Sequence, residues 1–166
     1  MTADNPGSVT NVQAAVSYRD ATAADAATLG RFMYEHLPWA RIRDFGVPFL
    51  ILVHRALCTS KHAVCRVAET DGRLLGYCAG MFDPRRFHRE FLWKHGWKAA
   101  LLVVPCLFRP KNWEVLWKGL TYVDDDASGD PPQEIIGFSV DPNVKGTGVG
   151  KALFAQTMAA LKAPAA

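Results

Sequence analysis

One stretch near the end of the chain restricts the fold more than any other. Glu134-Ile135-Ile136-Gly137-Phe138-Ser139-Val140 reads as a strand, and Ala152 to Lys162 reads as a helix. Between them lies Asp141-Pro142-Asn143-Val144-Lys145-Gly146-Thr147-Gly148-Val149-Gly150-Lys151, with glycine at every second position from 146 to 150. Glycine reaches backbone conformations closed to other residues, so such a turn can aim successive N–H groups at one point. The unbonded N–H groups and the positive end of the helix stand behind that point. Strand, turn and helix start together make an anion site, for which a phosphate or pyrophosphate is the natural ligand.

Three glycine codes compete for this turn. A Walker A loop requires G-x-x-x-x-G-K-[ST]. Gly150-Lys151 fits its end, but Lys145 stands where the first glycine belongs, and Ala152 replaces the hydroxyl that binds magnesium. The dinucleotide code G-x-G-x-x-G fits Gly146 and Gly148 but then meets Lys151, and it belongs at the start of a βαβ unit. The third code is [QR]-x-x-G-x-[GA]. Lys145-Gly146-Thr147-Gly148-Val149-Gly150 matches it with lysine in the first position, flanked by Val140-Asp141-Pro142 and Lys151-Ala152-Leu153. In this the chain resembles the GNAT superfamily of N-acetyltransferases, where that loop holds the pyrophosphate of an acyl-CoA.

At 166 residues, 49% hydrophobic and 21% charged, the chain reads as one globular domain. Its net charge of +3 is unevenly placed. From Arg85 to Lys118 there are eight basic residues against two acidic ones, a local excess of six, so the remainder carries −3. A local patch of this kind argues against a general nucleic-acid binder. Cys58, Cys65, Cys78 and Cys106 have neither CxxC pairing nor zinc spacing. Buried thiols in a reducing, cytoplasmic setting are the expectation. The five histidines have no metal-ligand spacing either, and no metal is expected. The first ten residues lack the features of a signal peptide. The longest apolar run, Ala99 to Phe108, is too short to span a bilayer.

Ala15 to Arg19 is expected to form a first strand, and Thr22 to cap a helix from Ala23 to about Leu37. A second helix is expected from Val47 to Cys58, with Pro48 in its first turn. His62 to Glu69 and Arg73 to Phe82 read as a hairpin around Thr70-Asp71-Gly72. In the second of these strands Leu75, Tyr77, Ala79 and Met81 are expected to share a face. Arg85 to Leu120 holds Trp93, Trp97, Trp113 and Trp117, two pairs at i, i+4, and reads as two helices broken at Arg109-Pro110. This helical, tryptophan-rich, basic insert is expected to cover an acceptor pocket or to rest on a membrane interface, or simply to add a layer to the core.

The order of elements matches the front of the GNAT fold. The resemblance implies an α/β (α+β) domain, with a mixed, mostly antiparallel sheet flanked by helices. It implies acetyl-CoA as acyl donor and direct transfer to the amine of a small-molecule acceptor. The pyrophosphate would lie on Lys145, Gly146, Thr147, Gly148, Val149, Gly150 and Lys151. Backbone N–H groups of Ser139 and Val140 would hold the thioester carbonyl. The Ser139 side chain by itself reads as one that faces a neighbouring strand. Glu134 resembles the family's general base, and equally reads as a solvated strand end. Asp141 reads as a strand-end cap.

Two departures stand out. About fifty residues separate the hairpin from the next strand, where the family often has a tight turn. The chain also ends at Ala166, before the closing strands that form the other wall of the CoA cleft. Residues 1–166 alone are therefore expected to be C-terminally truncated, self-associating through the 134–140 edge, and weak in acetyl transfer. The alternative function is a non-catalytic, degenerate transferase-fold module that docks on a partner or membrane through its basic aromatic insert.

Overall fold

The computed structural model describes residues 16–38, 40–108 and 133–162. Four strands form one antiparallel sheet in the order β1-β2-β3-β4: β1 (Ser17–Asp20), β2 (Ala63–Thr70), β3 (Arg73–Met81) and β4 (Glu134–Val140). Among the described residues four helices accompany it: α1 (Ala26–His36), α2 (Val47–Thr59), α3 (Pro84–Val103) and α4 (Val149–Lys162). The protein is a mixed α/β fold with an open antiparallel sheet. The β2–β3 hairpin turns at Asp71 and Gly72, whose φ values of 48° and 74° are the left-handed pair that matches the twist of the flanking strands.

Helices cover both faces of the sheet. On one face, Cys65, Val67, Tyr77, Ala79 and Met81 pack with Leu29 and Phe32 of α1, Ala56 and Leu57 of α2 and Phe87 of α3. On the other, Ala68, Leu75 and Cys78 pack with Val149 and Leu153 of α4. The α1–α2 crossing is close because position 30 is glycine. A Cβ there would stand 2.8 Å from the Ile51 nitrogen.

Two bulges decide which residues face which layer. Between the pairs Ala68↔Gly76 and Glu69↔Leu74, β3 carries one extra residue, Leu75. Between Ala79↔Gly137 and Gly80↔Ile135, β4 carries an extra Ile136. A bulge breaks the two-residue period of a strand. Leu75 therefore leaves the face of Tyr77, Ala79 and Met81, contrary to strict alternation, and packs under α4. Ile135 and Ile136 are split likewise between the two layers.

The helices follow the sequence with local shifts. The first begins as a 3-10 turn, Ala23–Asp25, before α1. There the Asp25 carboxylate accepts from Thr22 N (2.7 Å) and from both Arg19 Nη atoms (2.8 and 2.9 Å). The basic insert opens on Asp83, whose Oδ1 accepts from Arg86 N at 3.0 Å, with Pro84 in the first turn. Its first helix stops at Val103 and passes into a 3-10 turn at Val104–Phe108, ahead of the expected break at Arg109-Pro110. Pro105 has no N–H to continue the helical ladder and disfavours helix in the residue before it. The expected second helix of the insert, with Trp113 and Trp117, lies outside the described residues.

Candidate functional site

The glycine turn follows directly from β4. Asp141, 5% exposed, closes the strand by donating its N–H to Leu75 O at 2.7 Å. Its carboxylate is then fully engaged. Oδ1 accepts from Asn143 N (2.9 Å) and Nδ2 (2.8 Å), and Oδ2 accepts from Arg73 Nη2 at 2.6 Å. The Asn143 N–H, followed by the Arg73 side chain, holds this carboxyl below the usual carboxylate range. A 3-10 turn, Pro142–Val144, carries the chain away from the sheet. Gly146 and Gly148 follow, each at φ +83°, a region that favours glycine.

The Thr147 hydroxyl donates back to Val144 O at 2.7 Å, which tightens the turn. The first helical bond of α4 runs from Ala152 N to Gly148 O at 3.0 Å. The N–H groups of Val149, Gly150 and Lys151 precede that bond and have no i−4 partner. No acidic residue lies in this first turn, and Lys145 and Lys151 flank it, both exposed. Gly150 lets α4 approach β4. A Cβ there would meet Phe138 Cζ and Val140 Cγ2, each at 3.3 Å. The space beside Gly146 holds no atom within 4 Å of where a Cβ would sit. The result is an open, donor-rich and positively charged turn, suited to a phosphate group.

The register separates the two residues expected to hold a carbonyl. The Asp141 N–H to Leu75 O bond fixes the alternation along β3 and β4. Ser139, opposite Tyr77, points its main-chain groups at β3. Val140, opposite Gly76, points its N–H and carbonyl away from β3, toward the edge of β4 that has no neighbouring strand among the described residues. Of the two, only Val140 thus offers an N–H at that edge. Ser139 is 6% exposed and shares the Tyr77 face of the sheet.

Glu134 begins β4 opposite Met81 and is half-buried. Six residue steps separate it from Val140, roughly 20 Å at about 3.4 Å per step. A ligand anchored at the turn needs a long extended arm to reach it.

Sequence reasoning missed the ion pair of Arg73 with Asp141, which ties the hairpin to the glycine turn across 68 positions. No local pattern announces such a pair. It also missed His54, 2% exposed, whose Nδ1 lies 2.8 Å from Leu50 O and whose ring stands edge-on to Tyr77. Desolvation disfavours the charged ring and lowers the His54 pKa. No group of three or more metal-ligating side chains occurs among the described residues, and no described helix is long and apolar enough to cross a membrane. A cleft lined in part by Asp20, Leu57, Cys58, Cys65 and Arg66 shares no residue with the turn. No protein-family model and no curated protein matches the chain.

Proposed function

We propose that this protein is an acyl-CoA-dependent N-acyltransferase of GNAT type, with acetyl-CoA as donor and a small-molecule amine as acceptor. The observation that carries the proposal is the glycine turn. Its two left-handed glycines, the three N–H groups ahead of the first helical bond and the two flanking lysines suit a pyrophosphate. The GNAT-like spacing of Lys145, Gly146, Gly148 and Gly150 gives that pyrophosphate its carrier, CoA. The open edge of β4 suits an extended pantetheine arm, which would run from the turn toward Glu134.

In this reading the Val140 N–H polarises the thioester carbonyl. The neutral amine attacks the carbonyl carbon, the C–S bond breaks, and CoA leaves as a thiolate that takes up a proton. Solvent water takes up the amine proton, since Glu134 stands roughly 20 Å along the strand from Val140, and positioning supplies most of the acceleration. The buried thiols Cys65 and Cys78 fit a reducing, cytoplasmic setting.

The test is calorimetric titration of acetyl-CoA into the wild-type chain and into Gly148→Val. A side chain at φ +83° is strained and would crowd the donors. Affinity is expected to fall at least tenfold while the circular dichroism spectrum is kept. Equal affinity in the two proteins would remove the turn as the cofactor site. No binding to the wild type would remove the acyl-CoA reading altogether.

A further inference from the structure

The helix α3 is apolar on two opposite sides. Its inner side buries Phe87, Ala99 and Val103, which are 5%, 8% and 8% exposed. Its outer side carries Trp93, Trp97 and Leu101, which are 86%, 64% and 65% exposed. At about 100° per residue, these three and the exposed Val104 fall within an arc of roughly 80° that looks away from the core. Tryptophans exposed to this degree, on the side of a helix opposite its packing face, call for a second surface.

The charges say which surface. Arg85, Arg86, Arg89, Lys94 and Lys98 stand against a single acid within α3, Glu90. That acid falls within the same arc, but its carboxylate is already engaged, accepting from Ser60 Oγ and Lys94 Nζ. Lys98 Nζ lies 5.3 Å from the centre of the Trp97 ring, so cation and aromatic are presented together. Two copies of this helix would set four net positive charges against four. A protein face joining indole rings and long cationic side chains matches the boundary of an anionic bilayer, where the rings enter the headgroup layer and the cations reach phosphates.

We propose that the outer face of α3 is a peripheral membrane-docking surface that lies on anionic phospholipid, parallel to the bilayer plane. Trp93, Trp97 and Leu101 insert, and Arg89 and Lys98 on the flanks of the arc supply the electrostatic attraction. The helix does not span the bilayer; its charge content restricts it to the interface. This inference is independent of the acyl-transfer reading.

The experiment is co-sedimentation of the full chain with vesicles of phosphatidylcholine alone and of phosphatidylcholine mixed with phosphatidylserine. Quenching of tryptophan by brominated acyl chains reports insertion. The wild type is expected to pellet with the mixed vesicles, to be released by high salt, and to be quenched. Trp93→Ser with Trp97→Ser is expected to lower the partition coefficient at least tenfold, with an unchanged Tm because both rings are exposed. Arg89→Glu with Lys98→Glu, which leaves the rings in place, is expected to abolish the preference for phosphatidylserine. Absence of binding to the mixed vesicles overturns the proposal, as does undiminished binding of both variants. So does a lipid-free dimer of the wild type, seen in sedimentation velocity, that the tryptophan variant dissolves. That result would assign the face to a second copy of the chain.

Discussion

The helices α3 and α4 follow different logics. In α4 the buried residues are Val149, Leu153, Thr157 and Leu161, one stripe at four-residue spacing that lies on the sheet. The sheet accounts for these core positions, and each has a neighbour in the β2–β3 layer or along the helix. In α3 the only large apolar side chains that are buried are Phe87 and Val103, while Trp93, Trp97 and Leu101 point the other way. A helix on the surface of a folded domain needs one apolar stripe. The second stripe of α3 contributes nothing to the packing of the described residues, and so it reports on something outside them.

This comparison can be broken most forcefully at the buried stripes. Leu153→Ala in α4 and Phe87→Ala in α3 are each expected to cost about 2–5 kcal/mol, because each removes a core side chain with few routes to collapse. Denaturant titration checks both. A loss under 1 kcal/mol at either site would mean that its helix is not part of the cooperative core.

A smaller effect is expected at Asp141, on which the approach to α4 depends. Its carboxyl has a lower pKa in the folded protein than the unfolded value of about 3.9, so its stabilisation is complete above that value and is lost as the pH falls below it. Asp141→Asn is expected to cost roughly 1–2 kcal/mol at neutral pH, a figure held down by the exposure of Arg73, and to flatten the acid limb of a Tm-against-pH curve. An acid limb of unchanged slope would show that other carboxylates govern it.

The smallest effect is expected at Trp93. Trp93→Ala removes more surface than Leu153→Ala, yet is expected to shift stability by no more than about 0.5 kcal/mol. A large loss there would mean that the outer face of α3 is covered within the chain itself.

The elements with a local cause could be read from the sequence. The hairpin turn was legible because Asp71-Gly72 is a chemical signature of left-handed backbone. The glycine turn was legible for the same reason, as was α2 with Pro48 in its first turn. The residues that depended on distant partners were not. The bulges at Leu75 and Ile136 are set by how three strands must pair at once, so strict alternation put Leu75 on the wrong face. The separate roles of Ser139 and Val140 also required the register, since adjacent residues of an edge strand differ only in which way their N–H points. The end of α3 at Val103 was written in Pro105, but the expected break was the later Arg109-Pro110.

The Arg73–Asp141 contact also bears on the order of assembly. The β2–β3 hairpin joins neighbours in the chain and can form locally, on a time scale of about 1–10 μs. Strand β4 pairs with β3 through Met81 and Glu134, which stand 53 positions apart. That pairing must first close a long loop, at an entropic cost that only later contacts offset. Arg73 stands on the hairpin beside its turn, waiting for a carboxylate that arrives with the far end of β4. The glycine turn is therefore a late product of folding. It takes shape only when the rest of the sheet is in place, and its array of free N–H groups is in that sense a readout of the completed fold.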